Sequence, residues 1–96
     1  MSNAGAGSQE LLVEIYLGGG CHLCEAALEV VERVRRRIPF RLLVKQVEER
    51  SEWESAYRSE LPVVFIDGTK AFKFKVDEKE LVRRLRRRLE HARRER

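Results

Sequence analysis

Apolar and polar positions along this chain follow two rhythms, one of strands and one of helices. From Leu11 to Leu17 the run LLVEIYL is mostly apolar and ends at Gly18, Gly19 and Gly20, which predicts a buried strand opening into a loop. From Cys21 or His22 onward, Leu23, Ala27, Val31, Val34 and Ile38 return every three or four residues. That spacing predicts a helix with one apolar face, ending before Pro39. Glu25, Glu29 and Glu32 fill its early turns and Arg33, Arg35, Arg36 and Arg37 its end, a charge order that suits the helix dipole. Phe40 to Val47 predicts a second strand with Phe40, Leu42 and Val44 on one face and Leu43 on the other. Ser51 and Glu54 have the spacing of a capping box ahead of a short helix carrying Trp53, Ala56 and Tyr57. Val63 to Ile66, a turn at Asp67-Gly68, and Phe72, Phe74 and Val76 alternating with Lys73 and Lys75 predict a hairpin whose lysines suit an exposed edge. Asp77 is placed to cap a last helix, with Leu81, Leu85, Leu89 and Ala92 in one stripe.

The order is strand, helix, strand, helix, hairpin, helix. Strands joined through a helix pair in parallel with a right-handed crossover, and a hairpin adds an antiparallel pair. The expectation is an α/β domain with a four-stranded mixed sheet in βαβαββα order. A chain of 96 residues with 43% hydrophobic content fills one core, so residues 9–96 are expected to form a single domain. Residues 1–8 begin with Met-Ser-Asn-Ala, which resembles an expression-vector remnant, and continue in linker-like composition. No apolar run approaches the ~20 residues that cross a bilayer, and no secretion signal stands at the start. The expected location is cytoplasmic, with no membrane partner.

The net charge of +4 is unevenly placed: residues 81–96 hold eight arginines against Glu90 and Glu95, leaving the remainder slightly acidic. These arginines occupy the faces left by the leucine stripe, as on a solvated helix whose cations also favour its C-terminal dipole. The competing reading is a footprint for nucleic acid or an acidic partner protein. The helix interleaves no aromatics and carries no recognised binding motif, so nucleic acid is not the expected partner.

The chain has two cysteines, both in GGGCHLCEAALEVV. At the first turn of a helix, free N–H groups and the positive dipole end favour a thiolate, which suits Cys21 as nucleophile, with an uncluttered approach past the glycines. Cys24, one turn further in, is then placed to resolve a mixed disulfide. Such a pair directly after a strand, in a strand-helix unit of a cytosolic protein, reads as thioredoxin-like. A structural bridge is unusual in a reducing cytosol. Structural zinc needs four ligands, and neither His22 nor His91 supplies a recognised spacing, so no metal site is expected. Glu25 after Cys24 excludes haem attachment. Unreactive packing cysteines, and a metal or iron-sulfur carrier that combines two pairs through a dimer, remain as alternatives. In ELPVVFIDG, Pro62 stands at the first residue of an apolar strand, a position that suits either a turn proline or a functional one.

Together, GCHLCEAALEVVE, the Leu61-Pro62 step in YRSELPVVFIDG and the element order resemble the glutaredoxin-like branch of the thioredoxin superfamily, most of all a small glutaredoxin-like domain group. The resemblance runs from about Leu11 to Leu89. It implies a thioredoxin-like fold with helices packed on both faces of the sheet, and a thiol-disulfide oxidoreductase serving electron transport through a redox-active disulfide. It further implies a cis Leu61-Pro62 peptide across from Cys21, with the Leu61 backbone left to pair with a substrate strand. No cofactor is implied beyond glutathione as co-substrate. The implied partners are a disulfide-containing protein or a glutathione mixed disulfide, with a reductase or glutathione as electron donor. This chain departs from the family pattern in three places. His22-Leu23 stands where Pro-Tyr is common, which makes His22 a candidate tuning residue. Gly18, Gly19 and Gly20 stand where a basic residue often meets glutathione, and FKFKVDEKE has no Gly-Gly pair before the last helix. Arg58 and Asp77 are then the candidate glutathione contacts. The alternative reading of the whole is a thioredoxin-like binding module without turnover.

Overall fold

A computed structural model describes residues 10–94. The predicted linker, residues 1–8, lies outside the described residues. β1 (Leu12–Leu17) leads into α1 (His22–Arg35), β2 (Arg41–Gln46), α2 (Ser51–Tyr57), β3 (Val63–Ile66), β4 (Thr69–Lys73) and α3 (Glu78–Arg94). Single 3-10 turns at Val47–Glu49 and Arg58–Glu60 flank α2. The strands form one sheet in the order β2-β1-β3-β4, with β1 parallel to β2 and antiparallel to β3, and β4 antiparallel to β3. This is the mixed four-stranded sheet that the element order predicts.

Strand alternation sorts the core into two layers. Val13, Ile15, Val64 and Ile66 share one face, where the buried stripes of α1 (Ala27, Val31, Val34) and α3 (Leu81, Leu85) cover them. Tyr16 and Phe65 turn to the other face and meet α2 ring on ring. The Tyr16 ring lies 5.5 Å from Trp53, 4.3 Å from Tyr57 and 5.7 Å from Phe65. Lys45 Nζ lies over both the Tyr16 and Trp53 rings and donates to the Glu14 carboxylate at 2.7 Å, a bond that raises the lysine pKa.

The Asp67-Gly68 turn has φ of 48° and 83°, left-handed at both central residues as a type I′ hairpin turn requires. Asp67 also fixes the hairpin to its neighbours. Its N–H donates to the Leu12 carbonyl, its Oδ1 accepts the Leu12 N–H, and its Oδ2 accepts from Arg88 at 3.1 Å. Between β3 and β4 the register slips: Phe72 faces Val64 and Lys70 faces Phe65, so Ala71 is the extra residue of a bulge. Its carbonyl accepts from Arg84 at 3.1 Å. Asp77 caps α3 through its Oδ2, which accepts the Glu80 N–H at 2.9 Å.

Three local expectations are corrected. The buried stripe of α1 runs through Cys24, Ala27, Val31 and Val34, whereas Leu23 is 50% exposed, because one residue is roughly 100° of helical rotation. The Ser51/Glu54 capping box does not form. α2 has no side-chain cap, and the Glu54 carboxylate instead accepts from Arg58 at 2.7 Å, a charge-assisted bond that outcompetes a backbone amide. Finally, β4 stops at Lys73. Phe74 takes φ of 71° so that its N–H reaches the Glu60 and Pro62 carbonyls at 3.1 and 2.9 Å, and its ring is left 45% exposed.

Among the described residues no helix is long and apolar enough to cross a membrane. The arginines of α3 are mostly engaged with their own surroundings: Arg83 and Arg84 with Glu80, Arg88 with Asp67, Arg94 with Glu90. The two guanidiniums beside Glu80 hold its carboxyl down to about 2, from an ordinary 4.5. A carboxylate depressed in the folded state contributes stability above its unfolded pKa and loses it as pH falls through the folded value. The gap in urea midpoint between the wild type and Glu80→Gln is therefore expected to narrow as pH falls from 4.5 toward 2, and to narrow also in high salt. A gap that stays constant across that window would show that Glu80 acts in some way other than as a charge.

Candidate active site

β1 ends at Leu17 in the sheet interior, and three glycines carry the chain from there to the start of α1. Each glycine meets a different demand. A Cβ on Gly18 would sit 2.6 Å from Leu61 Cδ1, 2.9 Å from Arg58 Nη1 and 3.1 Å from Val47 Cγ2. Gly19 lies against the Glu48 carboxylate, 3.2 Å from where its Cβ would stand. Gly20, at φ of 74°, faces open space and makes the turn into the helix.

Cys21 is the residue that caps α1, extended at φ −102° and ψ 106°, and its carbonyl accepts the Cys24 N–H at 3.3 Å. This first turn brings the two Cα atoms to 5.5 Å with the sulfurs at disulfide distance, and the two cysteines form one bridge. The pair is unequal. Cys24 is buried in the core while Cys21 is partly exposed, and His22 and Leu23 between them both face solvent. A groove of about 670 Å³ opens beside the pair, walled by the glycine loop, Cys21, Cys24, Glu25, Leu28 and Gln46.

Leu61 and Pro62 line none of that groove. The Leu61 side chain is buried against Gly18, which fixes the Leu61-Pro62 step beside the cysteine loop, and the peptide between them is cis. The Phe74 N–H bonds to the carbonyls on either side, those of Glu60 and Pro62, and leaves Leu61 out.

The two candidate glutathione contacts are not brought together. Arg58 donates to Glu54 at 2.7 Å, to Glu48 at 2.8 Å and to the Gly19 carbonyl at 2.9 Å. The hydrogen bonds to Glu54 and Glu48 raise its pKa. The Gly19 N–H, at 2.6 Å, and the Arg58 guanidinium hold the Glu48 carboxyl below the usual carboxylate range. Asp77 caps α3, next to Glu78, whose carboxylate accepts from Arg33 toward the far end of α1 from Cys21.

Two residues of this neighbourhood escape the sequence patterns. Leu23 reads as core until the helical phase is known, and Glu48 gains meaning only when the end of β2 folds against the glycine loop. Among the described residues no three of His, Cys, Asp and Glu are grouped as a metal ion would require.

A sheet in this order, with a Cys-X-X-Cys bridge at the head of the helix that follows the first strand, defines a thioredoxin-fold protein with a dithiol site. The family can be named more closely: a family model described as Glutaredoxin-like domain (DUF836) matches residues 12–86, and the chain belongs to that family. None of the curated proteins matches it. Among solved structures, the structural genomics target protein XcR50 from X. campestris has a TM-score of 0.64 at 24% identity, over 76% of this chain and 93% of its own. A chloroplastic thioredoxin z has a TM-score of 0.66 at 16% identity, over 91% and 89% of the two chains. Fasciola hepatica thioredoxin has a TM-score of 0.58 at 21% identity, over 88% of each. At these identities the likeness is one of fold.

Gly18→Ala is expected to cost about 1–3 kcal/mol, as overpacked methyl groups do, and to displace Leu61 and Arg58, the two side chains in its way. Urea unfolding and the Leu61 methyl shifts in solution measure this. A variant as stable as the wild type with an unmoved Leu61 would refute the close contact.

Proposed function

We propose that this protein is a thiol-disulfide oxidoreductase whose nucleophile is Cys21 and whose resolving thiol is Cys24. The observation that carries the reading is the unequal pair: one cysteine partly exposed at a helix start, the other buried behind it, with their sulfurs at bonding distance. In the reduced form, the unpaired N–H groups and dipole of the first turn of α1 favour the Cys21 thiolate. That thiolate attacks one sulfur of a target disulfide, forming a mixed disulfide and breaking the target S–S bond. The first target sulfur leaves as a thiolate and takes up a proton. Cys24, deprotonated, then attacks the Cys21 sulfur, closes the Cys21-Cys24 bridge and expels the second target thiolate. The target gains two electrons and two protons, which the dithiol has lost, and an external thiol reductant restores the pair by the reverse exchange.

A protein disulfide is the favoured substrate over a glutathione mixed disulfide, because Arg58 and Asp77 are both engaged elsewhere. The Leu61 backbone pairs with an extended substrate segment, its own side chain and that of Pro62 being buried, and the exposed Leu23 offers the segment an apolar contact. His22, exposed between the cysteines, tunes the poise of the pair. A dithiol of this kind works in a reducing compartment, which is consistent with the cytoplasm, and draws its electrons from a reductase or from glutathione. No resident cofactor, metal, nucleic acid or membrane enters the cycle.

In a coupled disulfide-reduction assay, Cys21→Ser is expected to fall to the rate of uncatalysed exchange. Cys24→Ser is expected to accumulate the mixed disulfide, visible as an added mass that dithiothreitol removes. Equilibration in graded glutathione buffers should give one two-electron transition between roughly −270 and −120 mV. Full turnover by Cys21→Ser, or a pair that never closes, would overturn the reading. Metal content of the purified protein would then separate a cluster carrier from a binding module.

A further inference from the structure

Gly19, two residues before the nucleophile, has both of its backbone polar groups held by charged side chains from elsewhere in the chain. Its N–H donates to Glu48 Oε2 at 2.6 Å, and its carbonyl accepts from Arg58 Nη1 at 2.9 Å. Arg58 Nη2 in turn donates to the same Glu48 oxygen at 2.8 Å, which closes a ring of three hydrogen bonds around one glycine. A fourth bond, from Arg58 Nε to Glu54 at 2.7 Å, anchors the guanidinium to α2. The three contributors come from distant places. Gly19 follows β1, Glu48 sits in the turn after β2, and Arg58 opens the turn that leads to Leu61-Pro62.

We infer that Glu48 and Arg58 are a positioning pair, a clamp that fixes the glycine loop and so sets how readily the Cys21 and Cys24 sulfurs meet. The inference rests on the oxidoreductase reading and adds residues that touch neither sulfur. The loop needs such a restraint. Gly18, Gly19 and Gly20 have no side chains to pack, and glycine loses more conformational freedom on ordering than any other residue. Loop amides are ordinarily left to water; here two charge-assisted bonds take them instead. Glycine at position 19 also lets the carboxylate approach, since a Cβ there would stand 3.2 Å from it. Only arginine, with its planar fork of donors, spans Glu48, Glu54 and a carbonyl at once. With the clamp released, Cys21 samples more positions, the effective concentration of Cys24 at its sulfur falls, and both bridge formation and mixed-disulfide resolution weaken.

The test measures the reduction potential and the rate at which Cys24 resolves a Cys21 mixed disulfide, in the wild type, Glu48→Ala, Arg58→Ala, Arg58→Lys and the double alanine variant. Each single alanine change is expected to lower the equilibrium constant for bridge formation about tenfold, a potential about 30 mV less negative for a two-electron couple, and to slow resolution by a similar factor. The double variant should match the singles rather than multiply them, since either change opens the ring. Arg58→Lys, which keeps the charge but loses the fork, should recover only part of the effect. Folded variants with reduced thermal stability but an unchanged potential and resolution rate would show a merely structural role and overturn the inference. If the wild-type pair itself does not cycle, the oxidoreductase reading fails, and amide hydrogen exchange at Gly19 decides on the clamp separately. About tenfold faster exchange in Glu48→Ala supports it, and unchanged exchange refutes it.

Discussion

β1 is hydrogen-bonded along both edges and covered on both faces, and Val13 and Ile15 have no contact with solvent. A strand so enclosed leaves its chain one way out, through the end of the sheet. The residues that follow it must clear the sheet, avoid Leu61 and turn into a helix within a few positions, which is why they are glycines. Burial of β1 thus dictates where Cys21 arrives, at the rim of the sheet with the open end of a helix behind it. The same burial decides the partner of the pair. Cys24 belongs to the buried stripe of α1, so it is drawn inward while Cys21 stays partly exposed.

Much of this architecture is legible in the sequence because it is written in periods. The apolar run before the glycines, the three-and-four spacing of α1 and the Asp67-Gly68 turn each specify a local shape, and their order specifies the sheet. What escapes is whatever depends on a partner distant along the chain. Glu54 reads as half of a capping box, but the arginine four residues later binds it more strongly. Phe74 reads as the next residue of an alternating strand, but the carbonyls of Glu60 and Pro62 draw its N–H out of the ladder. Leu23 reads as core because helical phase cannot be set to one residue from spacing alone. The cysteines themselves are conspicuous, whereas Glu48, which meets the loop before them, lies in an acidic stretch with no pattern at all.

The ion pairs of this molecule serve registry more than stability. Most are partly exposed, and pairs of that kind contribute little individually in water. Several nonetheless join separate elements. Arg33 and Glu78 join the end of one helix to the start of another, Asp67 and Arg88 join the hairpin to α3, and Lys70 and Glu60 join β4 to the turn before β3. Each fixes how two elements, packed by featureless aliphatic side chains, slide against one another. At the arginine-rich end of the chain two residues belong to the same account, Arg88 on Asp67 and Arg84 on the Ala71 carbonyl, both of which fasten α3 to the hairpin.

The bulge at Ala71 has a consequence for the molecule in company. β4 is an outer strand, and an outer strand with a regular row of free amides is a template for a neighbour's strand. Here the row is broken. The bulge twists the strand, Arg84 already occupies the Ala71 carbonyl, and Lys70 and Lys73 are both tied to Glu60. A second copy arriving at this edge finds no straight ladder to extend and two charges it would have to bury. Sheet growth from one molecule to the next is disfavoured at β4, although the sheet is open to solvent on that side.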